Sequence, residues 1–389
     1  MLCTVPRGGA VTRGGVGDTT GMRIALDGTP LLGPRTGVAA FVAGLLGALV
    51  ARTDVEVSAY GVTWRGRDDL AGAVPAGVAT GGRPMAARPL RWSWQRMAAP
   101  PIEWWTGPID VVHGTNFVVP PSRRAAAVVT VHDLTFLHFP ELCDAATLAY
   151  PSLLRAAIER GALVHAVSQF VADEVVEDLG VDPDRVGVAH SGVPPVGSGD
   201  AARGRHLAGS ASYVLALGMV EPRKDLPLLV RAFDAVAPDR PGLGLVIAGP
   251  DGWGADALAR AIAAASCRER VVRLGWVDDT DRSALLAGAM VLAYPSRYEG
   301  FGFPPLEAMA AGVPVVATAA GALPEVVGDA AALVPVGDGD ALAGALARVL
   351  DDPGHRDALM AAGLQRVARY RWDRCAEGLV ALYHRAAGA

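Results

Sequence analysis

Short runs rich in β-branched residues alternate along the chain with alanine-rich stretches of helical period. That grammar predicts strands and amphipathic helices in regular succession. A first block gives strands at 23–26, 55–60, 110–113, 127–132, 163–167 and 186–189, with the clearest helices at 38–51 and 169–179. A second block repeats it, with strands at 213–217, 243–248, 271–274, 290–293, 313–317 and 332–334 and helices near 227–236, 255–265, 305–311 and 340–350. Strand–helix alternation gives parallel sheets with helices on both faces. The expected fold class is therefore α/β, with two doubly wound, Rossmann-like domains. The expected boundaries are 22–194 for the first domain, 195–212 for a Gly/Ser/Ala/Arg linker with nothing to bury, and 213–370 for the second. Residues 371–389 should form a last helix packing back toward the first domain. Ligands of such sheets bind at the carboxyl ends of the strands, so two facing domains make a cleft and the linker a hinge.

Composition narrows the class. Of 389 residues, 51% are hydrophobic and 19% charged, which excludes disorder for most of the length. The net charge of −5 argues against nucleic acid as a partner, because a phosphate-tracking surface needs a basic excess. The longest uncharged run, 308–324, contains Pro314 and is too short to cross a bilayer comfortably. Cys3, Cys143, Cys267 and Cys375 are scattered without metal-ligand spacing and read as reduced thiols of a cytoplasmic protein. Residues 1–21 are rich in Gly, Thr and Arg, lack the apolar stretch of a signal peptide, and are expected to be a disordered extension. Lys224 is the only lysine in a chain that otherwise uses arginine.

The densest chemistry lies at 294–318. Gly300 and Gly302 flank Phe301, Pro304 and Pro305 suit a helix start, and Gly312 suits its end. Glycine amides and a helix N-terminus offer N–H donors to phosphate or hydroxyl oxygens. Glu299 on the loop and Glu307, expected in the first helical turn, offer acceptors to hydroxyls. Taken singly, each glutamate reads as a solvated loop residue or a helix-start carboxylate. The whole string suits a polyhydroxylated anion such as a nucleotide sugar. In Leu217-Gly-Met-Val-Glu-Pro-Arg-Lys-Asp225, Arg223 and Lys224 follow a strand end and can reach a diphosphate whose charge grows as a bond to it breaks.

These motifs resemble retaining glycosyltransferases of the family 4 type, with the GT-B fold and a Glu-x7-Glu signature formed here by Glu299 and Glu307. The segments 275–279, 322–331 and 371–373 agree, and the similarity runs from about Met22 to the C-terminus. Met219 departs from it, since many relatives carry Arg or Thr after the glycine. The resemblance implies a donor site of Gly218, Arg223, Lys224, Gly249, Val277, Glu299, Gly300, Phe301, Gly302 and Glu307, with Glu307 on the ribose and Glu299 on the sugar. It implies that Thr36 and Gly37 form an acceptor or phosphate loop. His132, in Val131-His-Asp-Leu-Thr135, matches the family's histidine near the transferred sugar, and joins Glu299, Arg223 and Lys224 as the expected catalytic set. His113 is read as structural, and His165 and His190 carry no motif.

The resemblance also implies no metal and no cofactor. Asp338-Gly-Asp340 matches the metal motif of the other large transferase fold, but it precedes a helix where Asp340 would serve as N-cap. Across 83–107, Arg88, Arg91 and Arg96 accompany Trp92, Trp94, Trp104 and Trp105. Such a mix suits either internal packing, as Trp94-Gln95 does in relatives, or peripheral contact with the inner leaflet. The expected activity is hexose transfer from a nucleoside-diphosphate sugar, GDP-mannose before UDP-glucose, to a glycan or lipid-linked acceptor. The alternatives are a nucleotide-sugar-binding subunit without turnover and a phosphorylase or epimerase of the same fold. A phosphorylase needs a pyridoxal-phosphate lysine, and Lys224 lies in the wrong motif for one.

Overall fold

The computed structural model describes residues 21–388 apart from 34–35, 65, 82 and 144–146. The extension expected at 1–21 thus lies outside the described residues but for Gly21. Among these residues thirteen strands form two wholly parallel sheets. The first contains β1 (Met22–Asp27), β2 (Val55–Tyr60), β3 (Ala79–Thr80), β4 (Val111–Gly114), β5 (Ala126–Val131), β6 (Leu163–Ala166) and β7 (Val186–Val188), in the order β3-β2-β1-β4-β5-β6-β7. The second contains β8 (Ser212–Leu217), β9 (Leu243–Ala248), β10 (Val271–Gly275), β11 (Val291–Tyr294), β12 (Val315–Thr318) and β13 (Ala332–Val334), in the order β10-β9-β8-β11-β12-β13. Only β3, two residues long, was not legible in the pattern. Strand order reverses beside β1 and beside β8, and loops there diverge to leave a crevice.

Both sheets are buried on both faces, as parallel sheets require. Ile24, Leu26, Val111 and Val128 pack under Phe41, Leu45 and Leu49 of the Gly37–Val50 helix. Val214, Leu245, Ile247 and Val291 pack under Leu229, Phe233, Leu342 and Leu346 in the second domain. The Trp372–Gly388 helix lies on the first sheet, adding Leu379, Val380, Leu382 and Tyr383 to its core. Its Trp372 ring sits where a Cβ on Gly44 or Gly192 would come within 2.1 and 2.5 Å, so both positions need glycine for that approach.

The linker expectation needs correction. Residues Ala201–Ala208 form a helix, N-capped by Asp200 and ended by Gly209 in the left-handed region. It packs closely on the Asp279–Gly288 helix: a Cβ on Gly199 or Gly204 would meet the Ser283 or Ala284 carbonyl at 2.0 Å. The contact is backbone on backbone through small residues, so it leaves no stripe of large apolar positions to read. Asp338, not Asp340, caps the Gly339–Asp351 helix, its carboxylate accepting from the Ala341 amide at 2.9 Å.

A buried polar chain ties the last helix to the first sheet. His113 Nδ1 lies 2.7 Å from the Tyr383 hydroxyl, and Thr130 Oγ1 bridges His113 Nε2 at 2.7 Å and His165 Nδ1 at 2.9 Å. His165 Nε2 lies 2.9 Å from the Ala189 carbonyl, which can only accept, so that nitrogen carries the proton. Burial holds His165 down at about 4 and His113 well below its ordinary value. The unfolded chain therefore takes up protons on these rings before the folded one does. Their contribution is complete above the unfolded pKa near 6.5 and is lost as pH falls toward about 4. Urea unfolding at stepped pH should lose on the order of 3 kcal/mol from His165 across that window, with His113 acting in the same direction. A His165→Asn variant should show a shallower slope, and an equal slope would exclude this origin.

Candidate functional site

Two strand ends of the second domain build the core of the site. After β8, Gly218 at φ +136 turns the chain, and a single 3-10 turn carries Arg223 and Lys224. After β11, residues 295–302 form a loop that ends at Gly302, whose φ of +122 favours glycine, and the Phe303–Ala310 helix follows. Pro304 and Pro305 sit in its first turn, where no amide is needed inside the helix. The loop brings Glu299 onto the two cations. Lys224 Nζ is 2.6 Å from Glu299 Oε1 and donates to the Tyr294 hydroxyl at 2.5 Å. Arg223 Nη1 is 2.8 Å from Glu299 Oε2 and donates to the Tyr298 carbonyl at 2.9 Å, while its Nη2 meets Glu221 at 3.3 Å.

Glu299 is 6% exposed. Burial alone would raise its carboxyl, but the Arg223 guanidinium and the Lys224 ammonium overcome this and hold it down at about 2. Burial lowers Lys224, against the pull of Glu299. Arg223 stays firmly charged: burial is outweighed by Glu299, Asp133 and Glu221. The cluster is thus two cations balanced on one shared carboxylate. A diphosphate arriving here would compete with Glu299 for both cations and release its oxygens toward hydroxyl donors.

The first domain closes over this cluster. A Cβ on Gly300 would lie 1.7 Å from the His132 carbonyl oxygen, and one on Gly37 would lie 3.4 Å from the Phe303 ring. His132 follows β5 and donates from Nε2 to the Thr115 carbonyl at 2.8 Å. Burial lowers its pKa, partly offset by that bond and by Asp133, so the ring is neutral with Nδ1 as an acceptor. Thr36 caps the Gly37–Val50 helix by accepting from the Ala39 amide at 3.3 Å. A cavity of about 540 Å³ between the domains is lined by Thr36, Asp133 and Phe117 on one side and by Glu221, Arg223 and Trp253 on the other.

The structure brings His132, Gly37, Arg223, Lys224, Glu299 and Gly300 together. Gly218 adjoins Lys224, whose Cε would lie 3.7 Å from a Cβ there, and Thr36 lines the cavity with Arg223. Glu307 is in the second turn of its helix rather than the first, because the helix starts at Phe303, and it is paired with Arg282 of the Asp279–Gly288 helix. Val277, half-buried, is in the loop before that helix. Gly249, at φ +154, follows β9, and a Cβ there would meet the Gly218 carbonyl at 1.9 Å. Phe301 turns its ring inward between Phe303 and Tyr370, leaving only its backbone for a ligand.

Sequence reasoning missed the residues that hold the closed arrangement. Ser168, which caps the Gln169–Leu179 helix, donates to the Gly300 carbonyl at 2.8 Å. Glu325 of the second domain accepts from the Gln169 and Phe170 amides of that helix at 2.8 and 2.9 Å and meets His190 at 2.6 Å. Tyr298 inserts among His138, Phe139 and Phe170, accepts from the Leu134 amide at 3.0 Å, and bonds to Glu174. Glu325 lies in the quoted segment 322–331, but nothing local distinguishes a helix-capping carboxylate on another domain from a solvated one. The Arg/Trp segment also divides. Trp94 is buried with its indole N–H on the Pro100 carbonyl, Trp92 and Trp104 are exposed, and Arg91 turns away from Arg88 and Arg96 to line the cavity.

Residues 35–196 match the family described as Glycosyltransferase Family 4, and residues 201–366 match Glycosyl transferases group 1. The chain is 31% identical over 282 residues to the O-antigen chain mannosyltransferase B of Escherichia coli, covering 70% of this chain and 74% of that one. It is 36% identical over 234 residues to the D-inositol 3-phosphate glycosyltransferase of Salinispora tropica, covering 54% of this chain and about half (48%) of that one. The Anabaena HepE structure in complex with UDP and glucose superposes with a TM-score of 0.69 at 19% identity, over 92% of this chain and 98% of HepE, a likeness of fold. No helix among the described residues is long and apolar enough to cross a membrane. Two facing parallel sheets, a paired-cation site on the second, and these similarities lead to one assignment: the chain is a glycosyltransferase of the family 4 type, with the GT-B fold.

Proposed function

We propose that the chain moves a hexose from a nucleoside-diphosphate sugar to a hydroxyl acceptor with retention of anomeric configuration. The observation that carries this is the Glu299 carboxylate held between Arg223 and Lys224 beneath the His132 backbone, at the closure of the two domains. In this reading the diphosphate takes the two cations, Glu299 takes sugar hydroxyls, Glu307 takes the ribose, and the amides of Gly300, Phe301 and Gly302 face the sugar and phosphate. Gly218, Gly249 and Val277 shape the nucleotide pocket, and Thr36 and Gly37 the phosphate side of the acceptor loop. None of these side chains is a free nucleophile: Glu299 is spoken for by two cations. The acceptor hydroxyl therefore attacks on the face the diphosphate leaves, and the departing phosphate oxygen takes its proton. Closure excludes water, which would otherwise hydrolyse the donor.

GDP-mannose is the proposed donor, supported by likeness to the Escherichia coli mannosyltransferase, and a glycan or lipid-linked glycan of the cell envelope is the proposed acceptor. UDP-glucose is the second donor reading, supported by the UDP and glucose in the similar HepE structure. A thermal-shift panel of GDP- and UDP-sugars separates them, since a ligand that binds only the folded state raises the melting temperature by mass action. A rise with GDP-mannose above all others supports the first reading. A larger rise with UDP-glucose transfers the proposal to it, and no rise with any nucleotide sugar refutes both.

Cationic side chains take the place of a metal in this proposal. Asp338 is engaged as a helix cap. The one group among the described residues with metal-ligand spacing is His138, Glu174 and Asp178, and its members bond to each other and to Tyr298. Turnover is expected to be unchanged after EDTA treatment and gel filtration. Activity lost to EDTA and restored by Mn²⁺ or Mg²⁺ would reject the metal-free mechanism.

A further inference from the structure

Two side chains on the first-domain wall of the cavity have no part in the donor site. Asp27 ends β1 and is 7% exposed. One of its oxygens accepts from the Thr29 amide at 2.8 Å and from the Thr29 hydroxyl, and nothing else among the described residues donates to it. Burial raises its carboxyl, while Thr29 and the nearby Arg91 guanidinium pull it back. Arg91 belongs to the Ala87–Arg96 helix, whose Arg88 and Arg96 are exposed to solvent. Arg91 instead faces the cavity, and its Nε is buried with no hydrogen-bond partner among the described residues. A buried donor left unpaired is unfavourable and marks a position where a ligand atom completes the bonding.

The surroundings say what kind of atom. The same cavity presents Asn116, Phe117 and Tyr150. A guanidinium that donates next to a carboxylate that accepts matches the vicinal hydroxyls of a pyranose, each of which both donates and accepts. Phe117 and Tyr150 stack at 5.0 Å and offer apolar surface to the C–H face of such a ring. A phosphate or carboxylate on Arg91 would lie near the Asp27 carboxylate, an unfavourable like-charge arrangement on this wall of the cavity. We propose that Arg91 and Asp27 form an acceptor-reading pair that takes a vicinal diol of an uncharged saccharide, so that the acceptor terminus is a neutral sugar. This rests on the transferase reading above, with the acceptor in the interdomain cavity.

The test uses the full chain saturated with GDP or UDP. Saturation-transfer NMR titrations measure methyl α-mannoside, α-glucoside and α-galactoside, and the 6-phosphates of the same sugars. At least one neutral glycoside is expected to bind the wild type more tightly than its 6-phosphate. Arg91→Ala should weaken that binding by about tenfold or more, the scale of a lost hydrogen bond to a charged group. Asp27→Asn, which keeps the shape and the bond from the Thr29 amide, should weaken it too, and Arg91→Lys should be intermediate. Thermal melts confirm that each variant is folded; should Arg91→Ala not fold, Arg91→Lys and Asp27→Asn decide. The proposal is overturned if no neutral glycoside binds, if binding survives the Arg91 and Asp27 substitutions, or if the 6-phosphates bind more tightly and depend on Arg91. Failure of GDP and UDP to bind the wild type at all would instead defeat the donor reading, and is seen in a separate titration.

Discussion

Replacing Lys224 by alanine should lower kcat by about 10² to 10³-fold, the loss typical of removing one positioned charge from a developing oxyanion. The expectation follows from where the ammonium sits. Its side chain is only 12% exposed, 2.6 Å from Glu299, and lies over the Tyr294 ring at 4.6 Å, so little solvent competes for it. Charge on a departing diphosphate grows as the glycosidic bond breaks, and a fixed ammonium gains more from that growth than from the ground state. The substitution also leaves Glu299 with Arg223 as its remaining partner, so some loss of stability accompanies it. Lys224→Arg separates the two effects. It restores a cation to Glu299, but a planar fork cannot occupy the same point, so stability should recover more than rate. An unchanged kcat in Lys224→Ala would remove Lys224 from the diphosphate site. Because Glu299 stays ionised down to about pH 2, it should add no acid limb to the pH–rate profile above pH 4.

Gly300→Ala should be nearly as damaging, for a purely steric reason. A Cβ at this position would overlap the His132 carbonyl oxygen at 1.7 Å and the Asp133 Cβ at 2.9 Å. Both neighbours belong to the other domain, and the backbone of Gly300 is not in the left-handed region. Each domain should therefore fold as before, while the closed arrangement cannot form. Closure carries the Ser168 bond to the Gly300 carbonyl and brings His132 to the donor loop. The expected result is a loss in kcat of about 100-fold or more, since a misplacement near 1 Å has that scale, with nucleoside-diphosphate affinity largely kept. Steady-state kinetics with calorimetry on the same preparation reads both. Full activity in Gly300→Ala would show that the closed contact is not part of the reaction.

The strand pattern made nearly all of the fold legible, because β-branched runs buried on both faces announce themselves locally. Twelve of the thirteen strands lie within two residues of where the alternation put them, and the site strings fell on strand-end loops as motif reasoning required. What escaped was carried by contacts distant in sequence. The Ala201–Ala208 helix packs through glycine and alanine, so its partner is invisible in its own composition. Glu325 caps a helix more than 150 residues away, and Tyr298 fills a pocket of the other domain. Arg91 shares its helix with Arg88 and Arg96, and only the three-dimensional course of that helix separates a cavity cation from surface ones. Glu307 was found but placed a turn early, and its partner Arg282 comes from a segment that carried no site motif.

The division of labour within the donor site is tested most directly by calorimetric titration of GDP and UDP into wild type, Glu299→Ala and Glu307→Ala. Glu307, on the helix and paired with Arg282, is assigned to the nucleoside, and Glu299, on the loop between the cations, to the sugar. Wild type should bind one of the two nucleotides. Glu307→Ala should weaken that binding by about tenfold or more, the scale of lost charge-assisted bonds to ribose hydroxyls. Glu299→Ala should retain it, or bind slightly tighter as Arg223 and Lys224 lose their competing carboxylate. Equal losses in the two variants, or no nucleotide binding by the wild type, would contradict a donor site built on these two glutamates.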